Sequence, residues 1–321
     1  MRKIIGIGET VWDIIFRNDQ PISATPGGST FNAIISLSRS GIKTSFISET
    51  GNDRIGQNII RFLRDNGCDA DNVNVYPDSK SPLSLAFLNE QDDAEYIFYK
   101  DHPHDRLDFS HPDVKADDVV LFGSYYALNP AIRPQVKNFL EYAHQQGAIL
   151  YYDVNFRSSH QHEVMKLTPN LLDNFELADI VRGSADDFNN LFKKRDADSV
   201  YRSQIMFYTK KFIYTDGSNP IELRADGALS KQYPVEPVKT VSTIGAGDNF
   251  NAGLLYGIIA GNITRTQIDA GLSEDEWDSL IGYAQAFSRQ VCTSLDNYVS
   301  TQFGAAMKAK LLGMELPLPK F

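Results

Sequence analysis

The fold class of this chain is decided by the segment Ser242-Thr243-Ile244-Gly245-Ala246-Gly247-Asp248-Asn249-Phe250-Asn251-Ala252-Gly253. Its glycines allow a tight turn and let the backbone approach a ligand closely. The apolar residues that follow have helical spacing, at Phe250, Leu254, Leu255, Ile258 and Ile259. We therefore predict that a helix begins near Gly245, where unpaired N–H groups favour a bound phosphate. A glycine-rich loop that only caps a buried helix is the alternative.

Asp248 directly follows this glycine-rich turn. A carboxylate beside an anion-binding turn suits a base that removes a proton from a hydroxyl group attacking phosphorus. The run Gly245-Ala246-Gly247-Asp248, followed by Phe250, resembles the C-terminal signature of the PfkB (ribokinase-like) family of sugar and nucleoside kinases. The resemblance implies that Asp248 is the catalytic base. It also implies that the backbone amides of Gly245, Ala246 and Gly247 hold the transferring phosphoryl group.

The N-terminal segment starts with a short apolar strand that leads to Gly6 and Gly8. A dinucleotide-binding fingerprint needs a third glycine, but Val11 stands at that position, and we therefore set aside a Rossmann NAD site. Asp13 follows among apolar residues, which by composition alone favours a surface position on an edge strand. The family resemblance implies instead that Asp13 hydrogen-bonds the hydroxyl groups of a sugar.

The segment Pro26-Gly27-Gly28-Ser29-Thr30-Phe31-Asn32 resembles the Gly-Gly-x-x-x-Asn motif near the N-terminus of the same family. The resemblance implies that Gly28 lets the sugar approach the backbone and that Asn32 bonds a hydroxyl group. A solvated amide on an exposed turn is the alternative for Asn32. We expect Ser29 or Thr30 to cap the helix that follows, and Gly41 to end it.

Short apolar runs alternate with helical ones along most of the chain, as at residues 119–122 and 148–151. This alternation predicts a parallel sheet wrapped by helices. The resemblance implies a ribokinase-like three-layer α/β/α fold in one domain, residues 1–321, with a small β-lid from segments near 10–25 and 81–105. Residues 84–88 and 95–99 are strand-like runs around the polar turn Gln91-Asp92-Asp93. A surface hairpin with no gating role is the alternative to a lid.

Polar residues follow two of the predicted strands, where ligands gather in α/β sheets. The run Asp153-Val154-Asn155-Phe156-Arg157 resembles a family motif whose arginine approaches the phosphates, a role that suits the planar guanidinium. Ser184 and Asp187 stand where the family has Asn-x-x-Glu, which implies that Ser184 lies at the ATP site and that Asp187 positions Mg²⁺ through water. A capping box for the next helix is the alternative for this pair.

The nucleotide site is implied by three further positions. Thr215 and Gly217 resemble the family's Thr-x-Gly strand end beside the nucleotide, and Gln285 stands near the position of the adenine. Ser242 replaces the aspartate that helps to form a monovalent-cation site in many members, so we expect weak activation by K⁺. Asp296-Asn297-Tyr298 replaces the family's Gly-Ala ending.

The global composition agrees with a soluble enzyme of 321 residues, long enough to bury a large core. Its net charge of −10 argues against nucleic acid and anionic membranes as partners. No stretch is long and apolar enough to span a membrane, and the start lacks a signal-peptide pattern. Two cysteines offer no disulfide framework, which favours a cytoplasmic location. Apolar residues of the hairpin predict a homodimer formed through the lids.

The resemblance extends from Lys3 to about Leu295 and implies an ATP-dependent sugar kinase that binds ATP and Mg²⁺. Residues 98–107, in which His104 takes the place of an alanine, resemble the stretch after the lid in fructokinases, so fructose is the first expected substrate. Ribokinase, 2-keto-3-deoxygluconate kinase and nucleoside kinase activities remain open. A catalytically weak sugar-binding or regulatory protein on a kinase fold is an alternative of a different class.

Overall fold

The computed structural model of this chain describes residues 2–88, 94–101 and 106–319. Two features discussed above, the predicted polar turn Gln91-Asp92-Asp93 and His104, lie outside these described residues. The described strands are β1 (Lys3–Ile7), β2 (Val11–Arg17), β3 (Gln20–Gly27), β4 (Lys43–Gly51), β5 (Cys68–Asp69), β6 (Val73–Tyr76), β7 (Leu83–Leu88), β8 (Ala94–Tyr99), β9 (Val119–Gly123), β10 (Ile149–Asp153), β11 (Ile180–Ser184), β12 (Lys211–Asp216), β13 (Asn219–Ala225) and β14 (Leu229–Tyr233).

Helices occupy a large part of the remaining described chain. They are α1 (Ser29–Arg39), α2 (Arg54–Asp65), α3 (Arg133–Gln145), α4 (Val164–Leu177), α5 (Ala185–Phe192), α6 (Ala197–Val200), α7 (Ala246–Ala260), α8 (Arg265–Ala270), α9 (Glu274–Cys292) and α10 (Thr301–Leu311). Short 3₁₀ turns at Tyr125–Ala127 and Ser158–Glu163 and a π turn at Tyr201–Ile205 complete the described set. In these residues no helix combines the length and apolar character that a bilayer crossing needs.

The central sheet is mostly parallel. Its strand order is β14-β13-β12-β11-β10-β9-β1-β4-β5, with β6 also paired to β4. All pairs from β12 to β5 are parallel, whereas the β13–β14 hairpin adds an antiparallel edge. Because parallel strands carry their carboxyl ends to the same edge, the residues after these strands are brought together there.

Two hydrophobic cores lie on opposite faces of this sheet. Successive strand residues point alternately into one core and the other: Ile4 and Tyr151 lie in the first core, and Ile5 and Tyr152 lie in the second. The first core joins the sheet to α1, α7, α9 and α10, and the second joins it to α3, α4 and α5. Strands that bury both faces need apolar side chains throughout, which explains their continuous apolar runs. The predicted three-layer α/β/α fold is confirmed.

A second, smaller sheet has the strand order β3-β2-β7-β8. Strands β7 and β8 form the predicted hairpin and pair antiparallel, and β7 also pairs in parallel with β2. The segments near 10–25 and 81–105 therefore meet in one sheet. Its strand β2 follows β1 after three residues, so this sheet begins at the carboxyl edge of the central sheet.

The start of α1 differs from the expectation. Gly28 is its N-terminal cap, with φ of 130°, and neither Ser29 nor Thr30 caps it because both lie inside the helix. A Cβ on residue 28 would lie 2.2 Å from the backbone oxygen of Glu9, so only glycine fits this close approach. At the other end the expectation holds, since Gly41 follows the helix with φ of 83°.

Candidate active site

A cleft of about 380 Å³ opens where the second sheet meets the carboxyl ends of the central strands. Asp153 and Ser184 reach it from the ends of β10 and β11. From the second sheet, Asp13, Ser84 and Phe98 line its wall. Other lining residues include Glu9, Gly28, Asn32, Arg157, Arg182, Asp187, Gly245, Gly247, Asp248 and Asn297. The residues predicted for sugar binding and for catalysis therefore share one cleft, except Ala246.

The glycine-rich turn has the predicted geometry. Gly245 is the cap of α7, with φ of 78°, and a Cβ there would lie 2.6 Å from the backbone oxygen of Asn297. Helix α7 begins at Ala246, whose amide donates to the carbonyl of Thr243 at 3.2 Å. The next amides belong to the first helical turn and have no carbonyl partner within the helix. The predicted helix start at this turn is confirmed, and phosphate binding by its free amides stays a prediction.

Asp248 lies in the first turn of α7, where it is held by two side chains of α1. Its Oδ1 accepts a hydrogen bond from the Ser29 hydroxyl at 2.8 Å, and its Oδ2 accepts one from the Asn32 amide at 2.8 Å. Burial raises the pKa of Asp248 to about 6, although both hydrogen bonds act in the opposite direction. A carboxylate with this pKa is ionised at neutral pH and is still able to accept a proton.

Asp13 and Asn32, the two side chains predicted to bind the sugar, both line the cleft. Burial raises the pKa of Asp13, on β2, to about 7. The side-chain N–H of Asn32 donates a hydrogen bond to Asp248, and the Oδ1 of Asn32 is buried without a hydrogen-bond partner. Since a buried polar atom without a partner is costly, this oxygen is an open acceptor for a ligand hydroxyl group.

Arg157 follows β10 and is exposed at the cleft. Burial dominates the pKa values of Asp13 and Asp248, but the charge of Arg157 lowers both of them. The guanidinium group is therefore close enough to act on both carboxylates. This position agrees with a cation that meets negative charge entering the cleft.

A second cavity, of about 180 Å³, adjoins the cleft. It shares Arg182, Ser184 and Gly247 with the cleft, so the two spaces adjoin at these residues. The residues predicted to contact ATP line it, except Gly245, which lines only the cleft. Apolar side chains complete its wall; the lining set includes Thr215, Gly217, Ile221, Val235, Ala246, Phe250 and Gln285. Mostly apolar walls with a few polar groups suit a flat, aromatic ligand such as a nucleotide base.

Arg182 is a site residue that the sequence analysis missed. Its guanidinium group donates to Asp153 at 3.0 Å and to the Thr215 hydroxyl at 2.6 Å, and it lies over the ring of Phe250. The side chain is buried and lines both the cleft and the cavity. Side chains two apart on a strand share a face, so the position of Ser184 was a signal that could have indicated Arg182.

Asp187 has a structural role that the sequence analysis weighed as an alternative. Its Oδ2 accepts from the backbone amide and the hydroxyl of Ser184, at 2.6 and 2.8 Å, and this pair forms a capping box at α5. Its Oδ1 accepts from the amide of Phe156 at 2.7 Å. One lone pair remains on Oδ1, which suffices for a metal-bound water but not for a direct bidentate ligand.

The candidate metal site has few protein ligands. In residues 2–88, 94–101 and 106–319, no group of three His, Cys, Asp or Glu side chains is arranged to hold a metal ion. Mg²⁺ commonly binds through one or two carboxylates, with substrate phosphates and water as the other ligands. Asp153 fits this pattern because it lines the cleft and its Oδ2 is buried without a partner.

The family is decided by comparison with known proteins. The model of the pfkB family carbohydrate kinases matches residues 1–296 of the chain. The chain belongs to this family. Its membership indicates ATP-dependent sugar kinase activity, in agreement with a glycine-rich turn, an acidic cleft wall and an adjoining cavity in one place.

Relatives of two kinds are similar to this PfkB kinase. The 5-dehydro-2-deoxygluconokinase of Geobacillus kaustophilus is 27% identical over 247 residues, which cover 73% of the chain and 72% of that protein. The probable fructokinase-6, chloroplastic, of Arabidopsis thaliana is 26% identical over 238 residues, which cover 72% of the chain and 61% of that protein. The family is thus clear, while the identity of the sugar is not fixed by similarity.

Solved structures confirm the ribokinase-like fold. A fructokinase from Vibrio cholerae O395, crystallised with fructose, ADP and a calcium ion, has a TM-score of 0.80 at 20% identity, covering 97% of the chain and 99% of that protein. An aminoimidazole riboside kinase from Salmonella enterica has a TM-score of 0.78 at 21% identity, covering 97% of the chain and 100% of that protein.

Proposed function

We propose that this protein transfers the γ-phosphoryl group of ATP to a hydroxyl group of a small neutral sugar, with fructose as the first substrate. The observation that carries the proposal is the position of Asp248. It lines the cleft, and its neighbour Gly247 lines both the cleft and the adjoining cavity. A sugar in the cleft and a nucleotide in the cavity would therefore meet beside the Asp248 carboxylate.

In the proposed reaction, Asp248 accepts the proton of the sugar hydroxyl group. The hydroxyl oxygen forms a bond to the γ-phosphorus, the bond from that phosphorus to the β,γ-bridging oxygen breaks, and ADP leaves with the electron pair. A pKa of about 6 suits this step, because the carboxylate is ionised at neutral pH. Its hydrogen bonds from Ser29 and Asn32 hold it in one orientation.

Fixed positive groups would neutralise the charge of the transferring group. We assign this role to the amide of Gly247 and to Arg157, with Arg182 at the junction of the two spaces. The Ala246 amide, which was predicted to share the role, already donates to the Thr243 carbonyl. When bound, Mg²⁺ would add charge neutralisation at the phosphates. The residues that would hold it are Asp153, through its free Oδ2, and Asp187, through water.

The charge of the cleft supports a neutral sugar. Its wall carries five carboxyl groups and two guanidinium groups, from Glu9, Asp13, Asp153, Asp187, Asp248, Arg157 and Arg182, and Lys100 forms an ion pair with Glu9. A sugar acid would bring its own carboxylate close to these carboxyl groups, and like charges in a partly buried site repel. Hydroxyl groups, in contrast, suit the open acceptor of Asn32.

A sugar acid of the 5-dehydro-2-deoxygluconate type is the second candidate. The observation in its favour is Arg157, an exposed guanidinium group whose charge reaches the sugar side of the cleft. The relative from Geobacillus kaustophilus carries that substrate in its name. Arginine also binds carboxylates well, so a substrate that places its carboxylate there would be accommodated.

We further propose that the second sheet is a lid of the single kinase domain and the contact surface of a homodimer. Among the described side chains of this sheet, Ile97 and Tyr99 are exposed on the face of β8 opposite to the cleft-lining Phe98, and Ile22 is exposed on β3. Exposed apolar side chains on the edge strand of a small sheet favour cover by a partner. Cys68 and Cys292 are free, which supports our expectation of a cytoplasmic protein.

A coupled ADP-release assay over a panel of sugars, sugar acids and nucleosides tests the proposal. We expect the highest kcat/KM with fructose. A higher value with 5-dehydro-2-deoxygluconate, ribose or a nucleoside would overturn the choice of sugar and leave the kinase intact. Sugar binding without turnover of any substrate would overturn the kinase proposal in favour of a sugar-binding regulatory protein.

A further inference from the structure

The segment after α9 carries an amide into the sugar side of the cleft. Its backbone is fixed on both sides of Asn297. The backbone oxygen of Asn297 accepts from the Asn249 side chain at 2.9 Å, and the amide of Val299 donates to the Ser36 hydroxyl at 3.0 Å. Arg39 donates to the backbone oxygen of Val299 at 2.7 Å. None of these contacts uses the Asn297 side chain, so it is available for another purpose.

The Asn297 side chain is directed at the predicted sugar-binding carboxylate. It lines the cleft, is 1% exposed, and donates its Nδ2 hydrogen to Oδ2 of Asp13 at 3.3 Å. Its Oδ1 is buried without a hydrogen-bond partner. The amide N–H thus has its partner in the Asp13 carboxylate, and the amide oxygen has none. This oxygen can accept one hydrogen bond from a ligand.

Two open acceptors therefore flank Asp13 and Asp248. One is Oδ1 of Asn32, on α1, and the other is Oδ1 of Asn297. Each amide donates a hydrogen bond to a carboxylate of the cleft, Asn32 to Asp248 and Asn297 to Asp13. The chain thus presents two similar amide–carboxylate pairs, each with a free carbonyl oxygen. Adjacent hydroxyl groups of a sugar are the donors that match such a pair of acceptors.

We propose that Asn297 is a substrate-positioning residue. It orients the Asp13 carboxylate through its N–H and accepts a hydrogen bond from a substrate hydroxyl group through its Oδ1. The inference rests on the proposed function insofar as the ligand is a sugar. It assigns a specificity role to the part of the sequence where Asp296-Asn297-Tyr298 departs from the family pattern.

The first test is Asn297→Ala, with sugar binding measured by isothermal titration calorimetry and turnover measured separately. We expect the Kd and the KM for the sugar to rise about tenfold, because one neutral hydrogen bond is lost and Asp13 is less firmly oriented. The KM for ATP should change less than about twofold. Asp296→Ala, an exposed neighbour outside the cleft, is the matched control and should leave both KM values unchanged.

The second test uses deoxy analogues of the best sugar of the panel. The wild-type protein should bind one deoxy analogue, the one that lacks the hydroxyl group held by Asn297, about tenfold more weakly than the parent sugar. Asn297→Ala should bind this analogue and the parent sugar equally. Asn297→Asp has the same shape but adds a charge beside Asp13. By repulsion it should raise the pKa of Asp13 and so move the pH dependence of sugar binding to higher pH.

The outcomes separate the two proposals. If the wild-type protein binds the sugar and Asn297→Ala binds it with the same Kd, the proposed role of Asn297 is overturned. Equal increases in the KM values for sugar and ATP also overturn it, since they indicate general damage. Wild-type sugar binding without phosphorylation overturns the proposed kinase function alone. Absence of binding by every sugar of the panel overturns both.

Discussion

Asn32 on α1 donates its side-chain N–H to the Asp248 carboxylate on α7 at 2.8 Å. The residue predicted to hold the sugar therefore also holds the predicted base. Asn32 keeps its Oδ1 open for the ligand, so one amide connects substrate and base. Any change at Asn32 should affect the protonation of Asp248 as well as the affinity for the sugar.

The first prediction is an acid limb in the pH dependence of kcat/KM. Because the pKa of Asp248 is about 6, activity should fall as the pH decreases through this value. Asn32→Ala removes a hydrogen bond that lowers this pKa, so the midpoint should move up by about one pH unit. Ser29→Ala removes the other hydrogen bond and should act in the same direction. A midpoint that stays in place in both variants would contradict this assignment.

The second prediction concerns stability. Burial raises the pKa of Asp13 from 3.8 to about 7, so the folded state binds a proton more tightly than the unfolded state. The stabilisation by this proton is complete below about pH 4 and is lost as the pH rises through about 7. Asp13→Asn removes the titration and should therefore raise Tm at pH 8, by a few degrees, since ~1 kcal/mol corresponds to roughly 2–4 °C.

Thermal unfolding of Asp13→Asn and wild type at several pH values tests this expectation. The difference in Tm should shrink between pH 8 and pH 5, where wild-type Asp13 carries its proton. Asp113→Asn, a change at an exposed aspartate outside the cleft, should show no such trend. A constant difference across the pH range would show that the effect of Asp13→Asn is not one of ionisation.

The third prediction concerns monovalent cations. Ser242 is buried and its hydroxyl oxygen accepts from the amide of Ile244 at 3.2 Å, so it stabilises a local turn and brings no charge. We expect kcat in K⁺ and in tetramethylammonium, at equal ionic strength, to differ little. Ser242→Asp should create a dependence on K⁺. Strong activation of the wild type by K⁺ alone would show that neutral oxygens suffice.

The fourth prediction is a homodimer through the second sheet. Light scattering at micromolar concentration should give twice the mass of one chain. Ile97→Asp and Tyr99→Asp place charges on the exposed apolar face and should give monomers. Phe207→Asp, at a residue that is 70% exposed outside this sheet, should leave the dimer intact. A wild-type monomer would remove this part of the proposal.

Local patterns in the sequence predicted much of the fold and the site. Glycines with positive φ, such as Gly245, are visible in a sequence because few other residues adopt that backbone conformation. Alternating strand and helix patterns predicted the layers, and the ends of parallel strands then had to meet at one edge. This is why Arg157, after β10, could be expected at that edge, whereas the family resemblance was needed to expect Asp13 in the same cleft.

Contacts between side chains of distant segments could not be predicted in the same way. Asn297 meets Asp13 across 284 positions of the chain, and no local pattern encodes such a pairing. Ser29 illustrates the same limit. As a small polar residue near a helix start it was expected to be a cap, but its hydroxyl donates to Asp248 from the partner helix. Tertiary contacts decide such roles, because one hydroxyl group suits either partner.

The most direct test of the account is Asp248→Asn. The change keeps the size of the side chain and an acceptor for the α1 residues, but it removes the basic group. ATP and sugar should bind with near wild-type Kd, because the Gly245 turn, Asp13 and Asn32 are unchanged. The value of kcat should fall by about 10²–10⁴-fold, the usual contribution of a positioned base. Near-normal kcat in a folded Asp248→Asn protein would contradict the central claim that Asp248 takes the proton.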